Sequence, residues 1–360
     1  MSLFRQVAPL LFKNRITELT YFVTNKCNFR CKHCFMTDRQ DETFNELTAD
    51  EIVKMGEFIP SMQRVHLGGG EPFLRKDISD IAVAVANKWN TAVICIPTNG
   101  WFEDAIAATV KTFGGNSSKQ LRLHYSINAL GAGMDEFTGA NGSFERLQSS
   151  ILATKKLTDL YKNITLTALS TFNDYNQDDF RELIEFAVTI IGVDDVSIQL
   201  ARSHKGYHPE LKIKEFEKIL NSEFEGMTHH PPILKTYRRL VREATADYER
   251  NPRMIVPCLA GRTRAVMSPD GNIYPCEYLG YPNGPKPEEW LLGNIREYGY
   301  DINKLLKSSS AGTIIKRIRD NKCHCSHGID LSMNLLCTYR FKLKVIFKTL
   351  GNLLTGRMKT

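Results

Sequence analysis

The order of apolar runs predicts an α/β chain, a partial (β/α)6 parallel barrel followed by a small C-terminal cysteine-rich α+β domain. Short β-branched runs alternate with amphipathic ones six times between residues 17 and 203, and five of the nine cysteines fall after residue 257 around a hairpin signal. Residues 17–23 read as the first strand, followed by a cysteine-rich loop and a helix over 48–58. Thr48 is that helix's N-cap, and Glu51 stands three positions on. A second strand at 64–67 runs into Gly68-Gly69-Gly70 and a helix over 77–89. A third strand at 92–97 precedes a helix at 103–113, and a fourth at 121–127 precedes one at 143–160. Strands at 164–171 and 196–200 complete the six, separated by a helix at 178–191. Six βα units imply right-handed crossovers and are too few to close an eight-fold barrel. Two polar helices at 213–224 and 233–250 bridge to the second region, where 263–267, Ser268-Pro269-Asp270-Gly271 and 272–274 read as a hairpin. The expected division is an N-terminal segment 1–16, a core 17–203, a bridge 204–257, a cysteine-rich domain 258–337 and a tail 338–360.

A chain of 360 residues, 42% hydrophobic and 24% charged, has an ordinary globular composition. Nine cysteines are too sparse for a disulfide scaffold, and their spacings are metal-like, so a reducing cytoplasm is the expected setting. No apolar run reaches the roughly 18 residues of a membrane span, and residues 1–16 lack a signal-peptide pattern. The net charge is +7, of which residues 338–360 supply +6 through Arg340, Lys342, Lys344, Lys348, Arg357 and Lys359 with no acid. The remaining +1 does not support a nucleic-acid-binding face. The basic, apolar tail is expected to pack partly on its own domain, with contact to an anionic membrane surface or docking on a partner as the alternatives.

Cys27, Cys31 and Cys34 form a C-x3-C-x2-C run. Three thiolates in one short loop suit three irons of a cubane that normally takes four ligands, leaving one iron open to a cofactor. Structural zinc is the competitor, but it wants four ligands, and His33 is too near Cys34 for both to reach one ion. The motifs that follow fall one after another at strand ends: Gly68-Gly69-Gly70-Glu71-Pro72 after the second, Thr98-Asn99-Gly100 after the third, Ser126-Ile127-Asn128 after the fourth. In a parallel barrel those ends share one face. Glycines there let backbone groups approach a ligand closely, Glu71 is the strong carboxylate candidate if it faces that ligand, and no nucleophile–base dyad is evident, so the catalytic residues stay unknown.

This spacing resembles the radical S-adenosylmethionine (radical SAM) superfamily over residues 17–203. The resemblance implies a [4Fe–4S] cluster on Cys27, Cys31 and Cys34. It also implies S-adenosylmethionine, its methionine amino group received by Gly68, Gly69, Gly70, Glu71 and Pro72, with Thr98, Asn99, Ser126 and Asn128 near its ribose and carboxylate. Many relatives carry an acid where Asn128 stands, so the charge is lost here. Thr98 as a helix cap and Asn99 as a turn residue are the plain alternatives. Arg202, after the sixth strand, is expected at the surface, with pairing to a carboxylate as its alternative. A reduced cluster would cleave the sulfonium to methionine and a 5′-deoxyadenosyl radical, which abstracts hydrogen from an unactivated carbon. An electron donor such as flavodoxin or ferredoxin is implied.

Cys258, Gly271 and Cys276 give C-x12-G-x4-C, which resembles the opening of the auxiliary-cluster domain called SPASM. The full pattern has seven cysteines, and this region offers only Cys323, Cys325 and Cys337 besides, as in the shortened "twitch" form. One second Fe–S cluster on Cys258, Cys276, Cys323 and Cys325 is expected, with Cys337 as an alternative to either of the last two. Zinc, and His324 or His327 as ligands, stay open. Cys95 reads as a core residue and Asp270 as a turn residue. With the first strand near residue 17 leaving no room for an N-terminal recognition domain, the expected substrate tilts toward a small molecule or sugar rather than a peptide. The rival from another class is a non-catalytic zinc-binding interaction protein.

Overall fold

The computed structural model describes residues 15–204, 207–220, 231–282 and 284–355. The six β-branched runs become parallel strands β1 (Glu18–Thr24), β2 (Met62–Gly69), β3 (Thr91–Thr98), β4 (Gln120–Ser126), β5 (Ile164–Phe172) and β6 (Asp195–Leu200), side by side in chain order. Helices α1 (Ala49–Met55), α2 (Ile78–Asn87), α3 (Glu103–Asn116), α4 (Ala132–Thr138), α5 (Ser143–Thr158) and α6 (Phe180–Glu185) fill the crossovers. Thr48 caps α1 in a capping box with Glu51.

Side-chain alternation divides the sheet into two faces. Leu121, Leu123 and Tyr125 of β4 join the main core under the helices, with Ile94 and Ile96 of β3 and Leu166 and Ala168 of β5. The other face is polar. Glu18 of β1 accepts a hydrogen bond or ion pair from His66 of β2 at 3.1 Å, with Arg64 at 3.8 Å. Asp195 of β6 is clasped there by Arg238 of α8 (Pro232–Arg250) at 2.6 and 2.7 Å. α8 spans this lumen and packs with α11 (Gly328–Leu336) and α12 (Tyr339–Leu354) through a cluster of Leu240, Leu331, Leu335, Phe341 and Val345.

The structure departs from the sequence reading in three places. The hairpin β7 (Arg264–Met267) and β8 (Asn272–Tyr274) does not form a sheet of its own. β7 pairs in parallel with β1, and β8 and β9 (Gly293–Asn294) continue the same nine-stranded sheet. All four β7 residues are buried, so the strand satisfies the otherwise open β1 edge. Helix α4 lies where a loop was expected, between Gly131 and Gly139, held by buried Met134, Phe137 and Thr138. The helix expected over 178–191 is α6 followed by a π turn at Phe186–Ile191, through a β-branched run. The bridge begins with α7 (Ile213–Leu220), and the rest of the expected 213–224 helix lies outside the described residues, as do 1–14 and the basic residues Arg357 and Lys359. Helices α9 (Ile302–Leu306) and α10 (Ser309–Asp320) complete the C-terminal region.

Candidate active site

β1 delivers the chain directly into the cysteine run, and the run is anchored by its backbone. Arg30 N donates to Thr138 O at 3.0 Å and Lys32 N to Phe137 O at 3.0 Å, so α4 acts as the outer wall of this loop. Phe29 is buried and meets Trp101 edge-on at 5.5 Å. The His33 ring stacks on Phe137 at 4.9 Å, and burial lowers its pKa to about 4, which keeps it neutral and packed on an aromatic wall. Cys27, Cys31 and Cys34 are half-buried beside one another. Burial pushes the Cys27 thiol up to about 12, and burial with mutual repulsion raises Cys31. Burial likewise raises Cys34. Three thiolates in this setting need a compensating cation. The donor set suits one: Phe29 N points at Cys27 Sγ at 3.4 Å and Met36 N at Cys34 Sγ at 3.4 Å.

The glycine run is pressed against the entrance to that loop. Gly70 N donates to Thr24 O at 2.9 Å, and Glu71 N to Lys26 O at 2.8 Å. A Cβ on Gly69, whose φ is +144°, would stand 2.2 Å from Thr24 O, and one on Gly70 would stand 2.2 Å from Lys26 O. The glycines therefore set the position of the cysteine loop by backbone-to-backbone approach, a use the sequence reading did not foresee. Gly68 is buried, and Pro72, itself buried, begins the 3-10 turn Pro72–Leu74.

Glu71 is corrected from a ligand-facing carboxylate to an internal one. It is 1% exposed. Its Oε1 accepts from Phe73 N at 3.1 Å and Thr98 Oγ1 at 3.0 Å, and its Oε2 from Asn99 N at 2.7 Å. Burial pushes its pKa up to about 7 against these donors. Asn99 Nδ2 then donates to Asn28 Oδ1 at 2.8 Å, while Asn99 Oδ1 accepts from Trp101 N at 2.9 Å. Glu71 thus ties the second and third strand ends to the cysteine run, with Thr98 and Asn99 as the links. Asn128 is buried, its Oδ1 accepting from Thr171 N at 2.8 Å across to β5. Ser126 lies half-buried at the end of β4.

The second cysteine set also converges. Cys258 after α8, Cys276 after β8, and Cys323 and Cys325 between α10 and α11 line one cavity of about 400 Å³ with Arg202, Tyr248, His324 and Asp330. A hydrogen bond between their thiols holds Cys323 below the ordinary thiol range and Cys258 above it, and burial pushes Cys325 up to about 11. Arg202, expected at the surface, is half-buried in the cavity wall, its charge acting on Cys325. Cys337 is buried at the end of α11 and does not line the cavity. Of the alternative histidines, His324 lines the cavity and meets Tyr248 Oη at 3.0 Å, whereas His327 is held by Glu277 at 3.1 Å and Asp330 at 2.6 Å. Among the described residues no three Cys, His, Asp or Glu side chains are gathered closely enough to hold a single metal ion. A cubane spreads its thiolates over separate corners and does not ask for that spacing.

Sequence reasoning missed one element of this region. Arg264, 1% exposed, pairs with Glu277 at 2.8 Å and Asp330 at 2.7 Å and donates to Thr20 Oγ1 at 3.1 Å. An arginine inside an otherwise apolar strand was the available signal.

The sequence model of the radical SAM superfamily matches residues 21–187, from β1 through α6. That match makes residues 21–187, a little under half of the 360, a radical SAM region. Members of that superfamily are enzymes whose cofactors are a [4Fe–4S] cluster and S-adenosylmethionine, and the match sets aside the non-catalytic alternative. A GTP 3′,8-cyclase of Syntrophomonas wolfei is 24% identical over 175 residues, 48% of this chain and 52% of its own, so the chain spans about half that relative. An AdoMet-dependent heme synthase of Methanosarcina barkeri is 26% identical over 303 residues, covering 78% of this chain and 79% of its own. Among solved structures, Streptococcus suis SuiB bound to precursor peptide SuiA superposes with a TM-score of 0.60 at 16% identity, over 87% of this chain and 69% of that one. That likeness is one of fold.

Proposed function

We propose that the chain is a radical SAM enzyme carrying one auxiliary iron–sulfur cluster and acting on a small molecule or a peptide. The convergence of Cys258, Cys276, Cys323 and Cys325, from three separated stretches, on one cavity carries the reading. In it, Cys27, Cys31 and Cys34 hold the first cluster within residues 17–203, and the four later cysteines hold a second within a SPASM- or twitch-like region, 258–337. When bound, the first cluster and S-adenosylmethionine supply a 5′-deoxyadenosyl radical that abstracts hydrogen from unactivated carbon.

The chain's own residues position and shield. Gly68, Gly69, Gly70, Glu71 and Pro72 set a backbone rim for the methionine amino group, with Glu71 acting through its hold on Thr98 and Asn99. Ser126 and Asn128 border the fourth strand end, and Phe29, Trp101 and Phe137 keep water from the cysteine loop. The electron arrives from an outside donor such as a flavodoxin or ferredoxin, in a reducing, cytoplasmic setting. The substrate classes proposed are those the relatives' names carry, small molecules in the cyclase and a peptide in SuiB.

Two outcomes test the assignment. Cys276→Ala is expected to lower bound iron by about half, four of about eight atoms, while the first cluster's absorbance and cofactor cleavage persist. Unchanged iron retires the auxiliary set. Gly70→Ala places a methyl 2.2 Å from Lys26 O and 2.5 Å from Asn25 O. Such overpacking costs about 1–3 kcal/mol, so 5′-deoxyadenosine production should fall roughly tenfold or more with auxiliary-cluster iron retained. Wild-type rates in that variant contradict the role given to the glycine clasp.

A further inference from the structure

Helix α12 presents two apolar faces, and only one of them belongs to its own fold. Phe341, Val345 and Thr349 are buried, the first two in the cluster that joins α12 to α8 and α11. Tyr339, Ile346, Phe347, Leu350 and Leu354 point the other way and are 72, 44, 68, 51 and 88% exposed. They are five of the fourteen exposed large hydrophobics among the described residues, all on one sixteen-residue helix. At 3.6 residues per turn they fall on a stripe about 100° wide on the side away from Phe341 and Val345. Scattered exposed apolar residues need no explanation, but a continuous stripe does.

Charge selects the occupant. Lys342 flanks one edge of the stripe and Arg340 and Lys344 the other, and residues 338–360 contain six basic residues and no acidic one. Lys348 is committed to Glu243 of α8 at 3.6 Å, whereas Arg340, Lys342 and Lys344 make no ion pair with any described residue. A second copy docked through the same face would bring two basic sets together, which repel. We propose that this face of α12 lies on an anionic lipid surface, its apolar side chains sunk to the acyl boundary and its basic residues among the phosphates. Among the described residues no helix is long and apolar enough to cross a membrane, so the contact is peripheral.

The test is co-sedimentation of the full-length, cluster-loaded protein with vesicles of phosphatidylcholine alone or with about 30% phosphatidylglycerol. Binding is expected to the anionic vesicles only, and to weaken as salt rises from about 0.1 to about 0.5 M. Lys344→Ala should lower it about fivefold, and Phe347→Asp with Leu350→Asp tenfold or more, by the loss of two buried apolar side chains. Both residues are exposed, so iron content and unfolding midpoint should not change. Equal binding to neutral vesicles, no binding, or binding indifferent to the double substitution overturns the proposal. So does a lipid-free dimer that the double substitution dissociates.

Discussion

Cys31→Ala is expected to reduce 5′-deoxyadenosine formation under anaerobic, reduced conditions to the background of cluster-free protein. Cys31 is the middle thiol of the run, and Cys34 N donates to its carbonyl at 3.0 Å, so the substitution removes a ligand and leaves the turn intact. Two thiols do not retain a cubane that already lacks its fourth protein ligand. Iron should fall by about half, from the first site, with the auxiliary absorbance left behind. The loss is thus the mirror image of that in Cys276→Ala, and the pair assigns each cluster to its own cysteines. Cofactor cleavage that survives Cys31→Ala would mean that the radical chemistry has been placed in the wrong loop.

Arg264→Ala should be the most destabilising single change in the chain. The guanidinium is buried between Thr20 of β1 and two carboxylates, and it joins β7 and the barrel lumen to α11. Removing it strands Glu277 and Asp330 as buried acids with only His327 between them. Breaking a buried pair this way costs about 3–5 kcal/mol, a large share of a total of about 5–15. The unfolding midpoint followed by circular dichroism should drop by about 10 °C. Because Asp330 lines the four-cysteine cavity and Glu277 follows Cys276, auxiliary iron should drop with it. Arg264→Lys keeps the charge without the fork and should recover only part of the loss. A wild-type midpoint in Arg264→Ala would show that the network is not what fastens the two regions.

The barrel was legible because its signals are local. Alternation in β4, the Thr48–Glu51 cap and glycine-punctuated strand ends are each written within a few residues. What escaped depends on distant partners. β7 joins β1 across some 245 residues, a pairing that no short pattern encodes. Helix α4 was hidden because its glycine-flanked, seven-residue span has weak periodicity, and its stability comes from Met134 in the main core and Phe137 stacked on His33 of the cysteine loop. For the candidate site, residue types and order were readable but orientation was not. Glu71 sits at a strand end like a ligand group, yet its side chain turns inward to three donors. The second cavity required folding to gather thiols up to 67 positions apart, Cys258 to Cys325.

Metal analysis of the anaerobically purified wild-type chain tests the account most directly. Two clusters predict a brown protein with about eight irons and about eight acid-labile sulfides per chain, which cleaves S-adenosylmethionine once reduced. A colourless protein holding zinc without sulfide, and inert toward the cofactor, would contradict it.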